Sequence, residues 1–517
     1  MAKSRWVLAA VILGFLVSEA ALAAAGAGTP DDWFVPSSQK QNQAPPKQIS
    51  SSETINIPPG PPAIPQNQTE RKRDPSPEYL VGKVQWGQSA SIGTATIQDW
   101  DLAGNDVIEL VQRAKELGYM YHWAHTNLNE FDYDSKRLPA LLISGVRILK
   151  FTPAQTENLR KYVLNGGMII CDSVYGSPHF YESSLAVFNE MFPESRFRVI
   201  PPDHPLYHML LPIEKVKYAC GPEHDKPFLE GIYVGSRIGV LLAKQGLGCG
   251  WEGKTDVFAK LIERGLKPEA YSVESARKIA QNLVAYLVGY AQVGQIEGAP
   301  EEFGLPDQKT PTAEFVLAQV KHEGAWNAHP GAARSLLAKL QQRSSIPVNL
   351  RRLSVDPVKD DLSPYPFLYF TGLDDFVLTP EAAAKLKAYV ENGGTLLINN
   401  GLGLASFHQA VLREIPKLAP GKQLRQLAPD HPLFSSLHKI TRVTYTPVLE
   451  KDKGAELKGQ PYLFAVTFGD EQRARIVYSP YDLEAGWHEV YYPLVRGYDP
   501  TSAQQIGMNI IMYAMTH

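Results

Sequence analysis

A cysteine, a residue type suited to nucleophilic attack, sits at the end of an apolar run. Cys171 follows Met168-Ile169-Ile170 and is followed at once by Asp172. A thiol there acts as a nucleophile if a base converts it to thiolate and backbone N–H groups hold the oxyanion. His204 and His179 are the candidate bases by residue type. The competing role is packing, since cysteine is among the most buried residue types. Packing is the preferred reading, because the matching stretch later in the chain, Leu397-Ile398-Asn399-Asn400, has no thiol. Asp172, Asn399 and Asn400 remain as polar groups at a strand end.

Two further motifs occur twice. Asp203-His204-Pro205-Leu206 returns as Asp430-His431-Pro432-Leu433. An Asp-His pair can orient an imidazole for general-base work or supply metal ligands. The structural alternative, which is preferred, has Asp capping a turn and Pro fixing the chain entering it. Two ligands do not make a metal site, and no Cys-x-x-Cys spacing supports one; no cofactor is expected. The other motif is Gly250-Trp251-Glu252, echoed by Gly486-Trp487-His488-Glu489. An indole beside a carboxylate can line a pocket for a polar ligand, or it can be a half-buried Trp covering the sheet edge. Both readings stay open. Asp482 aligns with Gly246, so a site using that carboxylate belongs to the second half alone.

These echoes belong to a long repeat. Gly372 follows Gly145 by 227 positions, as Gly393 follows Gly166 and Asp430 follows Asp203. Ser502-Ala503, Asn509 and Tyr513 repeat Ser275-Ala276, Asn282 and Tyr286 at the same distance. Solenoid repeats run about 20–50 residues, so this is a whole domain, duplicated. In each copy, buried-looking strands (140–144 and 367–371) lead to Thr-Pro, a helix start. Helices 153–164 and 380–391 follow, end in Gly-Gly, and lead to strands 168–171 and 395–398. Strands alternating with helices predict an α/β fold: two tandem flavodoxin-like, doubly wound domains with mainly parallel sheets. Ligands in such sheets bind beyond the carboxyl ends of the strands.

The predicted boundaries are a signal peptide over 1–23, a disordered Pro/Gln/Ser-rich linker over 26–78, and domains over 79–292 and 312–517 joined by a linker over 293–311. Lys3 and Arg5, the apolar stretch Val7 to Val17 and Ala21-Leu22-Ala23 have the signal pattern. That stretch is shorter than the roughly 20 residues that cross a bilayer. A periplasmic or secreted protein with no membrane span after signal cleavage is therefore expected. Net charge is −3, without the basic stripe that nucleic-acid binding needs. Of the three cysteines, Cys220 and Cys249 are a candidate disulfide, with Cys171 left over.

The ordered set of motifs resembles the bacterial domain-of-unknown-function family 4159. They are a strand ending in Gly, Leu-x-x-Tyr-Val-x-x-Gly-Gly, an acidic or amide residue after the next strand, Asp-His-Pro-Leu, Gly-Trp-Glu and a final helix with Asn and Tyr. The set occurs twice, over about 79–292 and 312–517. The resemblance implies a class I glutamine-amidotransferase-like fold, in which the turn after the equivalent strand carries a catalytic Cys with Gly on either side. The segments matched to that turn, Ile170-Cys171-Asp172 and Ile398-Asn399-Asn400, lack those glycines. The leading expectation is an exported, non-catalytic module binding an envelope protein or glycan. The alternative is a cell-envelope hydrolase or amidase using Cys171 as nucleophile and His204 or His179 as base.

Overall fold

The computed structural model describes residues 27–36, 79–92, 95–254, 256–297, 314–469 and 473–517. The predicted signal peptide lies outside the described residues, as does most of the predicted 26–78 linker. The exception is 27–36, which carries the buried side chains Trp33, Phe34 and Val35. A Pro/Gln/Ser-rich composition disfavours a core of its own, but it does not stop a short apolar triplet from docking onto another one.

The first copy contributes β1 (Tyr79–Gln85), β2 (His122–Asn127), β3 (Ala140–Gly145), β4 (Met168–Ser173), β5 (Arg198–Val199), β6 (Glu230–Val234) and β7 (Arg237–Ala243). They form one seven-stranded sheet in the order β2-β1-β3-β4-β7-β6-β5. The second copy contributes β8 (Leu317–Val320), β9 (Leu353–Val355), β10 (Phe367–Gly372), β11 (Thr395–Asn400), β12 (Arg425–Gln426), β13 (Phe464–Phe468) and β14 (Arg473–Ser479). Its sheet runs β9-β8-β10-β11-β14-β13-β12, the same order. In the second sheet the pairs from β9 to β14 are parallel, and β13 and β12 add an antiparallel edge. The order beginning 2-1-3-4 is that of flavodoxin-like sheets.

Alternation along the strands sorts the second copy's core into two layers. Phe367, Tyr369, Leu397 and Val477 pack with Leu336, Leu340, Ile506 and Ile510, from helices Ala332–Arg343 and Pro500–Thr516. Their neighbours Leu368, Phe370, Leu396 and Ile398 pack with Leu386, Val390, Phe407 and Val411, from helices Pro380–Glu391 and Ala405–Leu418. Helices therefore cover both faces, which is why β10 and β11 are buried along their whole length.

The repeated motifs have local physical reasons. Thr152 and Thr379 cap the helices Pro153–Leu164 and Pro380–Glu391 through their side chains. The first glycine of each Gly-Gly is left-handed, with φ +98° at Gly166 and +95° at Gly393. At the second, a Cβ would fall 2.4 Å from the Tyr162 ring and 2.3 Å from the Tyr389 ring. The Tyr and the glycine five positions later are thus one packing unit. Asn282 Oδ1 accepts from Leu210 N and Leu211 N at 3.1 and 2.9 Å, and Asn509 Oδ1 accepts from Leu437 N and His438 N at 3.2 and 2.7 Å.

The chain divides into two compact units: Met1–Ile200, Leu210–Ile232 and Gly239–Ala291, and then Pro201–Met209, Tyr233–Ile238 and Gln292–His517. The 293–311 linker begins inside a helix, Ala291–Glu297, and the Asp203-His204 segment belongs to the second unit.

Candidate functional site at the strand ends

Both units bury a charged cluster beyond the carboxyl ends of their central strands. In the first unit, Lys83 on β1 is paired with Asp106, the first residue of the helix Asp106–Glu116. Lys83 Nζ also donates to Ser144 Oγ on β3 at 2.5 Å, and Ser144 Oγ donates to Asp106 Oδ2 at 2.9 Å. All three side chains are buried. Asp172, at the end of β4, accepts from Leu247 N at 2.7 Å and Gly248 N at 2.8 Å. Burial pushes its carboxyl up to about 7, and Asp106 adds to the push, against the pull of those two N–H groups.

In the second unit, Asn399 stands where Asp172 does. Its Oδ1 accepts from Leu483 N at 2.9 Å, and its Nδ2 donates to Asp482 Oδ1 at 3.0 Å. Asp482 Oδ2 accepts from Leu402 N at 2.9 Å and lies 3.0 Å from His329 Nε2. The other ring nitrogen, His329 Nδ1, is 3.0 Å from Glu297 Oε1. Ser236 N and Oγ donate to the Glu297 carboxylate at 2.7–2.9 Å. Tyr492 packs edge-on to the imidazole at 4.6 Å. Burial works against a charged His329, but the Asp482 and Glu297 carboxylates outweigh it and hold the imidazole well above its usual value. Asp482 is lowered in turn: His329 and the donors around it overcome the burial that would raise it. Glu484, which accepts from Thr371 Oγ1 at 3.0 Å, is pushed up to about 7 by burial.

The two clusters occupy equivalent places but are wired from different residues. Strand register sets Lys83 beside Leu142 and Gln319 beside Tyr369, which makes Gln319 the counterpart of Lys83. Asp106 and Ala332 both begin the helix after the first strand, and Gly248 and Glu484 both begin the short helix after the β7 or β14 loop. A Cβ at Gly248 would meet Asp172 Oδ2 at 2.8 Å and Asp106 Cβ at 3.0 Å. The second unit has no carboxylate at Ala332 and admits Glu484 instead. Buried ionisable groups are retained in both units while the residues that supply them change.

Cys171 lies within β4, not at the turn, with its side chain fully buried. Burial and the neighbouring Asp172 push its thiol well above the ordinary range. The turn comes later: Tyr175 (φ 58°) and Leu402 (φ 55°) are the strained left-handed residues after β4 and β11. In the second copy this turn reads Gly401-Leu402-Gly403, so the flanking glycines sit three positions beyond where the sequence reading sought them. Asn400 is buried, with Nδ2 donating to Leu404 O and Pro480 O, both at 3.0 Å.

His204 belongs to the second unit and Cys171 to the first. In both Asp-His-Pro-Leu motifs it is His, not Asp, that caps the turn. His204 Nδ1 accepts from Leu206 N at 3.1 Å, and His431 Nδ1 from Leu433 N at 3.2 Å. An accepting Nδ1 requires the neutral ring, and burial lowers His204 to about 3. Asp430 is exposed, while Asp203 Oδ2 accepts from Ala405 N at 2.5 Å. His179 Nε2 is 3.1 Å from Gly28 O.

Trp251 and Trp487 are fully buried, not half-buried at the sheet edge. Each indole donates 2.9 Å to a carbonyl of the final helix, Ala276 O and Ala503 O. Glu252 accepts from Asn105 N at 2.7 Å and pairs with Lys254, and burial raises its carboxyl. Its counterpart is His488, the last residue of the matching short helix, and exposed Glu489 matches Gly253 as the left-handed cap. Cys220 and Cys249 are free thiols rather than the candidate disulfide.

Lys83, Asp106, Ser144, Glu297, His329 and Glu484 were not singled out by sequence. Two carried a signal: Lys83 interrupts an otherwise apolar strand, and Ser144 and Thr371 share a place in the repeat. Among the described residues no three His, Cys, Asp or Glu side chains are grouped as metal ligands, and no helix is long and apolar enough to cross a membrane. An open cleft of about 720 Å³ lies at the opposite, amino end of β10 and β11, lined by Lys359, Leu362, Tyr365, Lys385, Tyr389 and Gly394.

No curated protein matches the chain. A family model matches it twice, over residues 98–288 and 316–515, and the chain belongs to that family, described as Domain of unknown function (DUF4159), in two tandem copies.

Proposed function

We propose that this protein is a non-catalytic, two-domain binding module of the cell envelope, exported by its N-terminal signal, with a class I glutamine-amidotransferase-like fold in each copy. The observation that carries the reading is the occupant of the turn after β4 and β11. An amidotransferase-like nucleophile would stand at that left-handed residue, and the two copies place Tyr175 and Leu402 there, both buried. Leu402 carries no nucleophilic atom, and burial keeps the Tyr175 phenol protonated, with its hydroxyl donating to Val35 O. The polar groups beyond the strands support the same reading: Lys83, Asp106, Asp172, Asn399 and Asp482 hold one another and the adjoining loops. A scaffold with its polar groups so engaged acts through its surface.

The test is an assay of the purified mature chain against envelope peptides and glycans, with Cys171→Ala as control. Turnover lost in Cys171→Ala but retained folding would overturn the reading in favour of the hydrolase alternative. Export is tested separately, by fractionating cells for a chain shortened at its N-terminus.

A further inference from the structure

The groove beside the Tyr175 turn already holds a peptide, and the peptide is part of this chain. Trp33, Phe34 and Val35 are 2%, 4% and 3% exposed, in one apolar cluster with Val146, Val174, Tyr175, Phe258, Leu261 and Leu266. The groove also grips the segment's main chain at three points. Tyr175 OH donates to Val35 O at 3.4 Å, a His179 ring nitrogen lies 3.1 Å from Gly28 O, and Arg264 Nη1 donates to Asp32 O at 2.9 Å. Arg147 reads side chains: its Nε donates to Asp31 at 2.7 Å and its guanidinium lies 4.3 Å over the Phe34 ring. Gly28 is left-handed (φ +67°), and a Cβ there would come within 2.7 Å of the Leu266 side chain. The segment satisfies its own indole, Trp33 Nε1 donating to Ala27 O at 2.7 Å. Main-chain grips plus pockets for chosen side chains are how extended peptides are recognised.

We propose that this groove is a binding site for a short peptide with acidic residues ahead of an aromatic-aromatic-aliphatic triplet, and that residues 28–35 are its in-cis occupant. The site rests on the reading of the protein as a binding module, and it names the ligand class of the first domain. An occupant on the same chain wins by local concentration over a free peptide of equal affinity. A partner carrying the same pattern must therefore displace it.

The probe is a labelled peptide of sequence Ala27–Pro36, followed by anisotropy with the full mature chain. The native protein is expected to bind it at least tenfold more weakly than a Trp33→Ala/Phe34→Ala variant, whose groove is vacated. A probe with Ala at both aromatic positions should not bind, and Arg147→Ala in the vacated variant should weaken binding several-fold. A vacated variant that unfolds cooperatively yet shows no saturable binding overturns the site. Should that variant fail to fold, a specific protease site inserted between residues 60 and 61 of the native sequence replaces it. Once the chain is cut, the labelled probe should exchange into the groove; a cut protein that never exchanges overturns the site. Mass spectrometry of the recovered probe separates the two claims. Bound, intact probe upholds both, whereas cleaved probe overturns the non-catalytic reading and leaves the site standing.

Discussion

His329 Nε2 lies 3.0 Å from Asp482 Oδ2, with neither side chain open to solvent. Removing one member of such a pair leaves an uncompensated buried charge, which costs about 3–5 kcal/mol. Asp482→Asn should lower unfolding free energy by that order, and His329→Gln/Asp482→Asn by less than the two single changes added. The pH profile follows from the directions. His329 is raised, so its contribution is full below about 6.5 and is lost as pH climbs through the raised folded value. Asp482 is lowered, so its contribution is full above about 3.9 and is lost as pH falls through the depressed folded value. The pair's own contribution, measured as the difference in urea unfolding free energy between native and Asp482→Asn, should be flat from about pH 4 to 6.5. A single variant within 1 kcal/mol of native would remove the pair from the stability argument.

Asp172 has the opposite sign. Its carboxyl is raised to about 7, so its stabilising contribution is full below about 3.9 and declines as pH rises towards 7. Asp172→Asn keeps an acceptor for Leu247 N, as Asn399 does for Leu483 N. The variant should lose part of the downward slope between about pH 4 and 7, and at pH 8 should stay within about 1 kcal/mol of native, the net worth of one hydrogen bond. A large loss at pH 8 would mean that the second N–H contact, from Gly248, dominates.

Thiol reactivity should follow burial. Cys220 is half-buried, and Cys171 and Cys249 are buried. Cys220 should be alkylated first in the native protein, at a rate still rising with pH because burial places its thiol at about 11. Cys171 should react only on unfolding. Rapid native labelling of Cys171 near neutral pH would contradict its buried setting.

Gly394→Ala places a methyl 2.3 Å from the Tyr389 ring. Overpacking of this kind costs about 1–3 kcal/mol, and Gly167→Ala against Tyr162 should cost a similar amount. Replacing Tyr389 with Leu in the Gly394→Ala background should recover part of the loss. Independent, additive effects in a double-mutant cycle would show that ring and glycine are not one unit.

The duplication, the strand-helix alternation and the Gly-Gly turns were legible in the sequence because each is set within a few residues. Thr152 caps its own helix, Gly166 and Gly393 take a conformation that favours glycine, and apolar runs mark strands covered on both faces. The candidate site was legible only in part. Asp172, Asn399 and Asp482 were named from their places after strands, but their partners were not. His329 is separated from Glu297 by 32 positions and from Asp482 by 153, and nothing local to any of the three announces the others. The turn residue was missed because the elbow was sought at Cys171, inside the strand, when the left-handed position lies at Tyr175 and Leu402. Trp33-Phe34-Val35 was assigned to a disordered linker because a three-residue apolar run has no period to read. Sequence by itself determined a duplicated, doubly wound α/β chain. Tertiary structure decided which polar groups share a low-dielectric interior, and hence which are charged, and which surface the N-terminal triplet finds, because burial and long-range contact exist only once the chain has closed on itself.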